Sequence, residues 1–496
     1  MSDLSDVYRM SAAEVVGLLS RGEVSPVELV EAAAARIAKV DGHINALPTL
    51  CIDRALDHAR RIMREGKHHD RPRGWLGGLP IAVKDLSAVA GVRTTYGSRI
   101  YADNVPTASD SLITRLEANG AIVVAKSNTP EFGAGANTLN DVFGGTRNPW
   151  DLTKSVAGSS GGSAAALASG QVWLATGSDL GGSLRTPASF TAVVGLRPSP
   201  GRVVRVSPRL AFDTLNVEGP MARTVADAAL MLDAMVGADG ADPLSLEKPG
   251  PTFCERLKTA PPPRRFSFSA NLGITPIDAE VEHICTKIVR RFADETGCEV
   301  IDACPDFTGA FEIFDVLRAA WFVGEHEGHL HDHRALLRPE VAANIEKGLA
   351  LTVSDLAKAE AARSRLYRRV AAFFEGSDLL LCPTAIVAPF DIDRRYVDEV
   401  NGQRFENYVQ WTSITSAITL TSCPAISVPV GFTRDGLPVG IQVIGARCRE
   451  DQVLAGAAYI ERVANVARQL PIDPRWPPGG EVAPQEVSQV SRAPKP

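Results

Sequence analysis

The stretch Val156–Pro198 reads VAGSSGGSAAALASGQVWLATGSDLGGSLRTPASFTAVVGLRP. Two Gly/Ser knots, Gly158–Ser163 and Gly181–Ser183, bracket an Ala-rich segment and an apolar run. Glycine permits φ > 0 and lets a backbone turn its N–H groups toward a bound group. A serine held in such a turn is exposed yet fixed. That suits a nucleophile beside backbone donors for an oxyanion. Between the knots, Ser163 to Ser169 reads as a short helix that Gly170 ends, and Gln171 to Thr176 as a strand.

The flanking sequence repeats this alternation. Leu79 to Val83 is a short apolar run that leads straight into Lys84 and Asp85. Asp110 can cap a helix carrying Leu112, Ile113 and Leu116, and Ala121 to Ala125 reads as a strand ending at Lys126. Upstream, Ser11 with Glu14 and Ser25 with Glu28 form capping-box patterns, the second with Pro26 at the first helical position. Cys51 to Arg64 reads as a further helix ending at Gly66. Downstream, helical patterns dominate from about Asp278 to Phe374. Strands then follow at Leu379 to Cys382, Ala425 to Val430 and Pro438 to Ile444, before a closing helix from Asp451 to Val466. Helices alternating with short apolar strands predict an α/β fold. We expect an N-terminal helical segment over 1–70, one large α/β domain over 71–470 with a helical region at about 280–375, and a Pro-rich disordered tail over 471–496.

Composition narrows the function classes. The 496 residues are 45% hydrophobic and 22% charged, enough for a large core. Lys+Arg is 52 against Asp+Glu 58, with no basic block, so nucleic-acid binding has no electrostatic support. No apolar run is long enough to span a membrane, and the start lacks a secretory pattern. The 8 cysteines are scattered with no C-x-x-C pair, which argues against a zinc ribbon or a redox motif. Reduced thiols in a cytoplasmic protein are the expectation.

The Gly/Ser knots admit several chemistries. A flexible linker would not abut patterned structure on both sides. Phosphate binding lacks G-x-x-x-x-G-K-[ST] and a strand-borne G-x-G-x-x-G. Gly158-Ser159-Ser160-Gly161-Gly162 matches G-x-S-x-G with Ser160 as nucleophile. Yet Asn148 to Lys154 does not read as the strand that motif requires. The last histidine, His333, also leaves the C-terminal third without a base. A lysine at the end of an apolar strand can serve instead, because desolvation disfavours its ammonium form. Lys84 and Lys126 have nearly equal credentials, and for either the plain alternative is a solvated or carboxylate-paired cation. The run Glu325-His326-Glu327-Gly328-His329-Leu330-His331-Asp332-His333 is not H-E-x-x-H and reads as a polar helix end and loop. Trp321, Phe322 and Tyr408 are candidates for an acyl pocket or for plain core.

The chain resembles the amidase signature family. The matching stretches are Gly77–Asp85, Ala157–Ser163, Ser178–Pro187, Val194–Pro198, Cys423–Ile426 and Gly436–Gly440. The resemblance implies a large mixed sheet flanked by helices and a Ser–cis-Ser–Lys triad. Ser183 is then the nucleophile, Lys84 the base and Ser159 the bridging serine. The backbone N–H groups of Leu180, Gly181, Gly182 and Ser183 form the oxyanion hole, and Ser160, Asp179 and Arg185 are supports. It also implies a cofactor-free, metal-free hydrolase of a small-molecule amide, with a homodimer as a family-level expectation. The alternative within the family is an amidotransferase-type subunit that releases ammonia in a tRNA-modifying complex. A binding protein with a decayed site is disfavoured, because all three triad positions are filled. The chain departs from the common pattern at Ala157, where glycine is frequent, and at Thr191-Ala192, where Cys-Gly is frequent.

Overall fold

The computed structural model describes residues 4–65 and 72–477. Eleven strands form one mixed sheet. In chain order they are β1 (Thr49–Leu50), β2 (Leu79–Lys84), β3 (Ala121–Ser127), β4 (Leu174–Asp179), β5 (Val194–Arg197) and β6 (Val217–Ala222). They continue as β7 (Arg265–Phe268), β8 (Glu299–Asp302), β9 (Leu379–Pro383), β10 (Ala425–Phe432) and β11 (Pro438–Ile444). Across the sheet the order is β1-β3-β2-β4-β6-β5-β10-β11-β9-β7-β8. The β2–β3 and β2–β4 pairs are parallel, whereas β6 runs antiparallel to β4. Fourteen α-helices among the described residues flank this sheet.

The sequence explains the central layers. Every residue of β2, β3 and β4 is buried, as expected of parallel strands covered on both faces. The Gly161–Ala168 helix is also wholly buried. Alanine favours helix and keeps the backbone close to its neighbours. At Gly162 a Cβ would meet the Asn128 backbone nitrogen at 2.3 Å and the Ala46 carbonyl oxygen at 2.6 Å, so only glycine fits. Both N-terminal capping boxes form, with Ser11 and Glu14, and Ser25 and Glu28, bonding reciprocally. Each such cap contributes about 1 kcal/mol. The N-terminal part is tied to the core by the Ala13 N–H donating to Asp227 Oδ1 at 2.9 Å and by Arg36, which donates to the Ser169 and Ile472 carbonyls.

Three sequence readings need correction. The strand expected at Gln171 to Thr176 lies three residues later, at Leu174–Asp179. Its polar end, Thr176 to Asp179, looks unlike a strand, but pairing with β6 runs along its whole length. The stretch from Asn148 to Lys154, read as non-strand, overlaps the strand Asp151–Ser155, which pairs with Arg147–Asn148 in a separate two-stranded ribbon. That ribbon is outside the main sheet, so it does not supply the strand a nucleophile elbow needs. Finally, residues 471–477 of the expected tail pack on the body, with the Ile472 N–H donating to the Ala168 carbonyl at 2.9 Å. Residues 478–496 of that tail, and Gly66, lie outside the described residues.

Candidate active site

Lys84 ends β2, where Ile81 and Ala82 lie beside Leu174 and Ala175 of β4. Its side chain is fully buried and meets three hydroxyls. Its Nζ lies 2.7 Å from Ser159 Oγ, 2.9 Å from Ser160 Oγ and 2.9 Å from Ser178 Oγ. Its backbone N–H donates to Thr176 Oγ1 at 2.9 Å. Burial draws the amine well below its ordinary pKa, against opposing pulls from Glu218 and Asp179. Ser159 and Ser160 sit at the turn that opens the Gly161–Ala168 helix, and the Gly158–Ser159 peptide bond is cis.

Ser183 is brought to the same place by the second knot. The Ser160 N–H donates to the Ser183 carbonyl at 3.1 Å, clamping the two turns together. Ser183 and Ser159 both line a cavity of about 520 Å³, within the range of small-molecule sites. Ser160 is completely buried and does not line it, which removes Ser160 as a group that could meet a substrate.

Asp179 holds the Ser183 turn. Its carboxylate accepts from the Gly182 N–H at 2.9 Å, the Leu184 N–H at 3.2 Å, and Arg185 Nε and Nη2, both at 3.0 Å. Arg197 Nη1 adds a contact at 3.1 Å. Burial alone would raise this carboxyl, but the two guanidinium groups hold it well below the usual carboxylate range. Of the four expected oxyanion donors, the Gly182 N–H thus already has an acceptor in Asp179. The N–H groups of Leu180, Gly181 and Ser183 have no acceptor among the described residues. Gly182 itself has φ 126°, and a Cβ there would meet Thr415 Oγ1 at 2.3 Å.

One wall of the cavity comes from the Ala310–His333 helix, and others from segments that include Leu86, Tyr96, Phe132, Arg205 and Tyr408. Phe314, Arg318, Trp321, Phe322, His326 and His329 line it in one stripe. Trp321, Phe322 and Tyr408 therefore belong to the pocket wall. The histidine run is not a loose polar end. His326 stacks on Phe132 with centroids 4.4 Å apart, and His329 Nε2 is 2.9 Å from the Tyr101 hydroxyl. Burial pushes His326 down to about 3, so it is neutral and packs as an aromatic ring. No group of metal ligands occurs among the described residues.

Three groups near this site were not singled out from sequence. Ser178 is the third hydroxyl on Lys84. Glu218 lies directly opposite Ser178 in the β4–β6 ladder and lines the cavity. Its Oε2 is enclosed without a partner among the described residues, and burial raises its carboxyl while Lys84 opposes. The third is Arg318. The available signal was a charged residue on an apolar helical stripe, between Phe314 and Phe322 at helical spacing.

Comparison with known proteins shows the family. The family model described as Amidase matches residues 28–454. The chain therefore belongs to the amidase signature family, whose members hydrolyse amides. It is 34% identical over 478 residues to an acylamidase of Rhodococcus erythropolis, covering 94% of this chain and 98% of that protein. It is 33% identical to a glutamyl-tRNA(Gln) amidotransferase subunit of Prochlorococcus marinus (strain MIT 9211), covering 93% and 99%. Among solved structures, a bacterial aryl acylamidase superposes with a TM-score of 0.85 at 29% identity, covering 93% of this chain and 99% of that one. The 6-aminohexanoate cyclic dimer hydrolase superposes at 0.82 with 26% identity, covering 94% and 99%. The corresponding glutamyl-tRNA(Gln) amidotransferase subunit of Thermotoga maritima superposes at 0.71 with 27% identity, covering 92% and 95%. Among the described residues, no helix is long and apolar enough to cross a membrane.

Proposed function

We propose that this chain hydrolyses a linear carboxylic amide through a Ser183 acyl-enzyme. The observation that carries this reading is Lys84, a buried amine with hydroxyl neighbours and, among the described residues, no carboxylate in ion-pair contact. Neutral Lys84 takes a proton from Ser159 as Ser159 takes one from Ser183. The Ser183 oxygen attacks the amide carbonyl. The free N–H groups of Leu180, Gly181 and Ser183 face the developing oxyanion, and each good donor contributes ~3 kcal/mol to the transition state. Ser159 returns the proton to the departing amine, and Lys84 reprotonates Ser159. Water then attacks the acyl carbonyl by the same relay, releasing the acid and restoring Ser183. The chain's own residues supply every step, with no cofactor.

The aromatic wall suits an aryl or medium-sized acyl or amine group, so anilides are the first substrates to try. The higher TM-score to the aryl acylamidase than to the amidotransferase subunit favours a self-sufficient amidase over a partner-dependent ammonia source. A cytoplasmic enzyme, as a monomer or homodimer, is consistent with this reading. The test is a panel of aliphatic, aromatic and peptide-like amides with the purified chain. A fluorophosphonate adduct at Ser183, found by peptide mass spectrometry and absent in Ser183→Ala, supports it. Labelling elsewhere, or turnover that survives Ser183→Ala, overturns it. Activity that appears only with an added partner subunit would favour the amidotransferase reading.

A further inference from the structure

Arg318 is 6% exposed and lines the cavity. Its Nη2 donates to the Tyr408 hydroxyl at 2.7 Å and its Nη1 donates to Asn344 Oδ1. Its guanidinium carbon lies 4.6 Å from the Phe322 ring centre and 5.4 Å from that of Tyr408. All of these partners are neutral. The nearby carboxylates bind other cations: Asp315 pairs with Lys347, Glu325 with Arg205, and Glu340 with Arg395. Glu218, on another wall of the cavity, faces Lys84. A guanidinium buried without a counter-charge is strongly unfavourable unless something else compensates it.

Tyr408 completes the argument. Its hydroxyl receives Arg318 Nη2 at 2.7 Å and Asn344 Nδ2 at 2.6 Å. A phenol oxygen has two acceptor positions and one hydrogen. Both acceptor positions are filled, so its hydrogen can only donate. Arg318 also keeps guanidinium N–H groups that bond to nothing among the described residues. Arg318 and Tyr408 therefore offer this part of the cavity donors and a positive charge.

We propose that Arg318 and Tyr408 bind a carboxylate carried by the substrate, so that the enzyme prefers amides with a carboxylate a short chain away from the scissile carbonyl. The spacing follows from the helix. Phe314 packs against Gly181, where a Cβ would approach its Cζ to 2.9 Å. Arg318 is one turn further along, about 6 Å up the helix axis. The proposal rests on the amidase reading, because it specifies the substrate class of the same site.

The experiment compares succinyl-4-nitroanilide with its methyl ester, and 4-acetamidobenzoate with acetanilide, to place the carboxylate on the acyl or the amine side. In one of the two pairs the charged member is preferred by roughly 10- to 100-fold in kcat/KM, mostly through KM, the usual scale for hydrogen bonds to a charged group. Arg318→Gln brings that ratio to near one, Arg318→Lys keeps part of it, and Tyr408→Phe lowers it. The thermal midpoint of Arg318→Gln stays level or rises, because an unpaired charge is removed. A binding arm needs no turnover: calorimetry on Ser183→Ala detects the charged ligand, and adding Arg318→Gln weakens it by the same factor. If Ser183→Ala still turns over, the amidase reading falls and the binding arm alone decides the carboxylate site. Equal kcat/KM within both pairs overturns the proposal. So does a preference that survives Arg318→Gln, or a lowered midpoint with the preference intact.

Discussion

Lys84 and Lys126 end neighbouring parallel strands, both fully buried, and their surroundings divide them. Lys126 Nζ lies 3.0 Å from Asp85 Oδ1, 2.6 Å from the Ser87 carbonyl and 2.9 Å from Thr94 Oγ1. Lys84 meets only serine hydroxyls in direct contact. Burial lowers both amines, but at Lys126 the Asp85 carboxylate is the main opposing influence. Lys126 is thus held as half of an internal ion pair, whereas the carboxylates that favour the Lys84 ammonium, Glu218 and Asp179, act on it without an ion-pair contact among the described residues. The plain alternative for Lys84 was pairing with its neighbour Asp85. The structure gives Asp85 to the other lysine, whose strand end lies alongside in the β2–β3 pair. Strand-end position makes a lysine dry; the absence of a paired acid makes it available as a base.

This contrast can be broken most decisively by exchange to methionine. Lys84→Met should lower turnover by roughly 10⁴-fold or more, as removal of a proton-relay member does. Its thermal midpoint should hold, since no ion pair is lost. Lys126→Met should leave the turnover of folded enzyme near wild type but cost about 3–5 kcal/mol in urea unfolding, because Asp85 stays buried without its partner. If the two variants trade these phenotypes, the roles are reversed. The double variant Lys126→Met with Asp85→Asn should recover part of that stability, since no lone charge then remains in the core.

Glu218 sharpens the comparison at the Lys84 end. An ionised Glu218 favours the Lys84 ammonium, so Glu218→Gln should lower the Lys84 pKa further. The acid limb of the kcat/KM profile should then move to lower pH, and an unchanged limb would show that Glu218 is not charged in the working enzyme. The smallest effect lies away from both lysines. Ala192, at the position where glycine is frequent, has φ 60°. Ala192→Gly should stabilise by about 0.5 kcal/mol, the relief of a left-handed alanine less the entropy glycine adds to the unfolded chain. Turnover should not change.

The candidate site was legible to the extent that its parts sit in contiguous motifs. Lys84, Ser159 and Ser183 were named from the family resemblance; in the structure Lys84 Nζ lies 2.7 Å from Ser159 Oγ, and Ser159 and Ser183 both line the cavity. Choosing Lys84 over Lys126 on local pattern was impossible, since Asp85 touches the lysine more distant in sequence. The end of β4 was misjudged because the strand character of Thr176 to Asp179 comes from neighbours, not from its own polar residues. The fate of the Gly182 N–H depended on which way the Asp179 carboxylate points, which spacing does not encode. Glu218 and Arg318 are outside the knots, and only the sheet register and the helix stripe bring them to the cavity.

The pocket wall and the reacting groups arise on different stretches of chain. The groups around Lys84 come from β2, β4 and the turns beside them, whereas the Ala310–His333 helix sits in the long crossover between β8 and β9, strands in the other half of the sheet order. Such an arrangement makes the enzyme modular. On the proposed function, changes confined to that crossover would reshape one wall of the pocket without touching Lys84, Ser159 or Ser183.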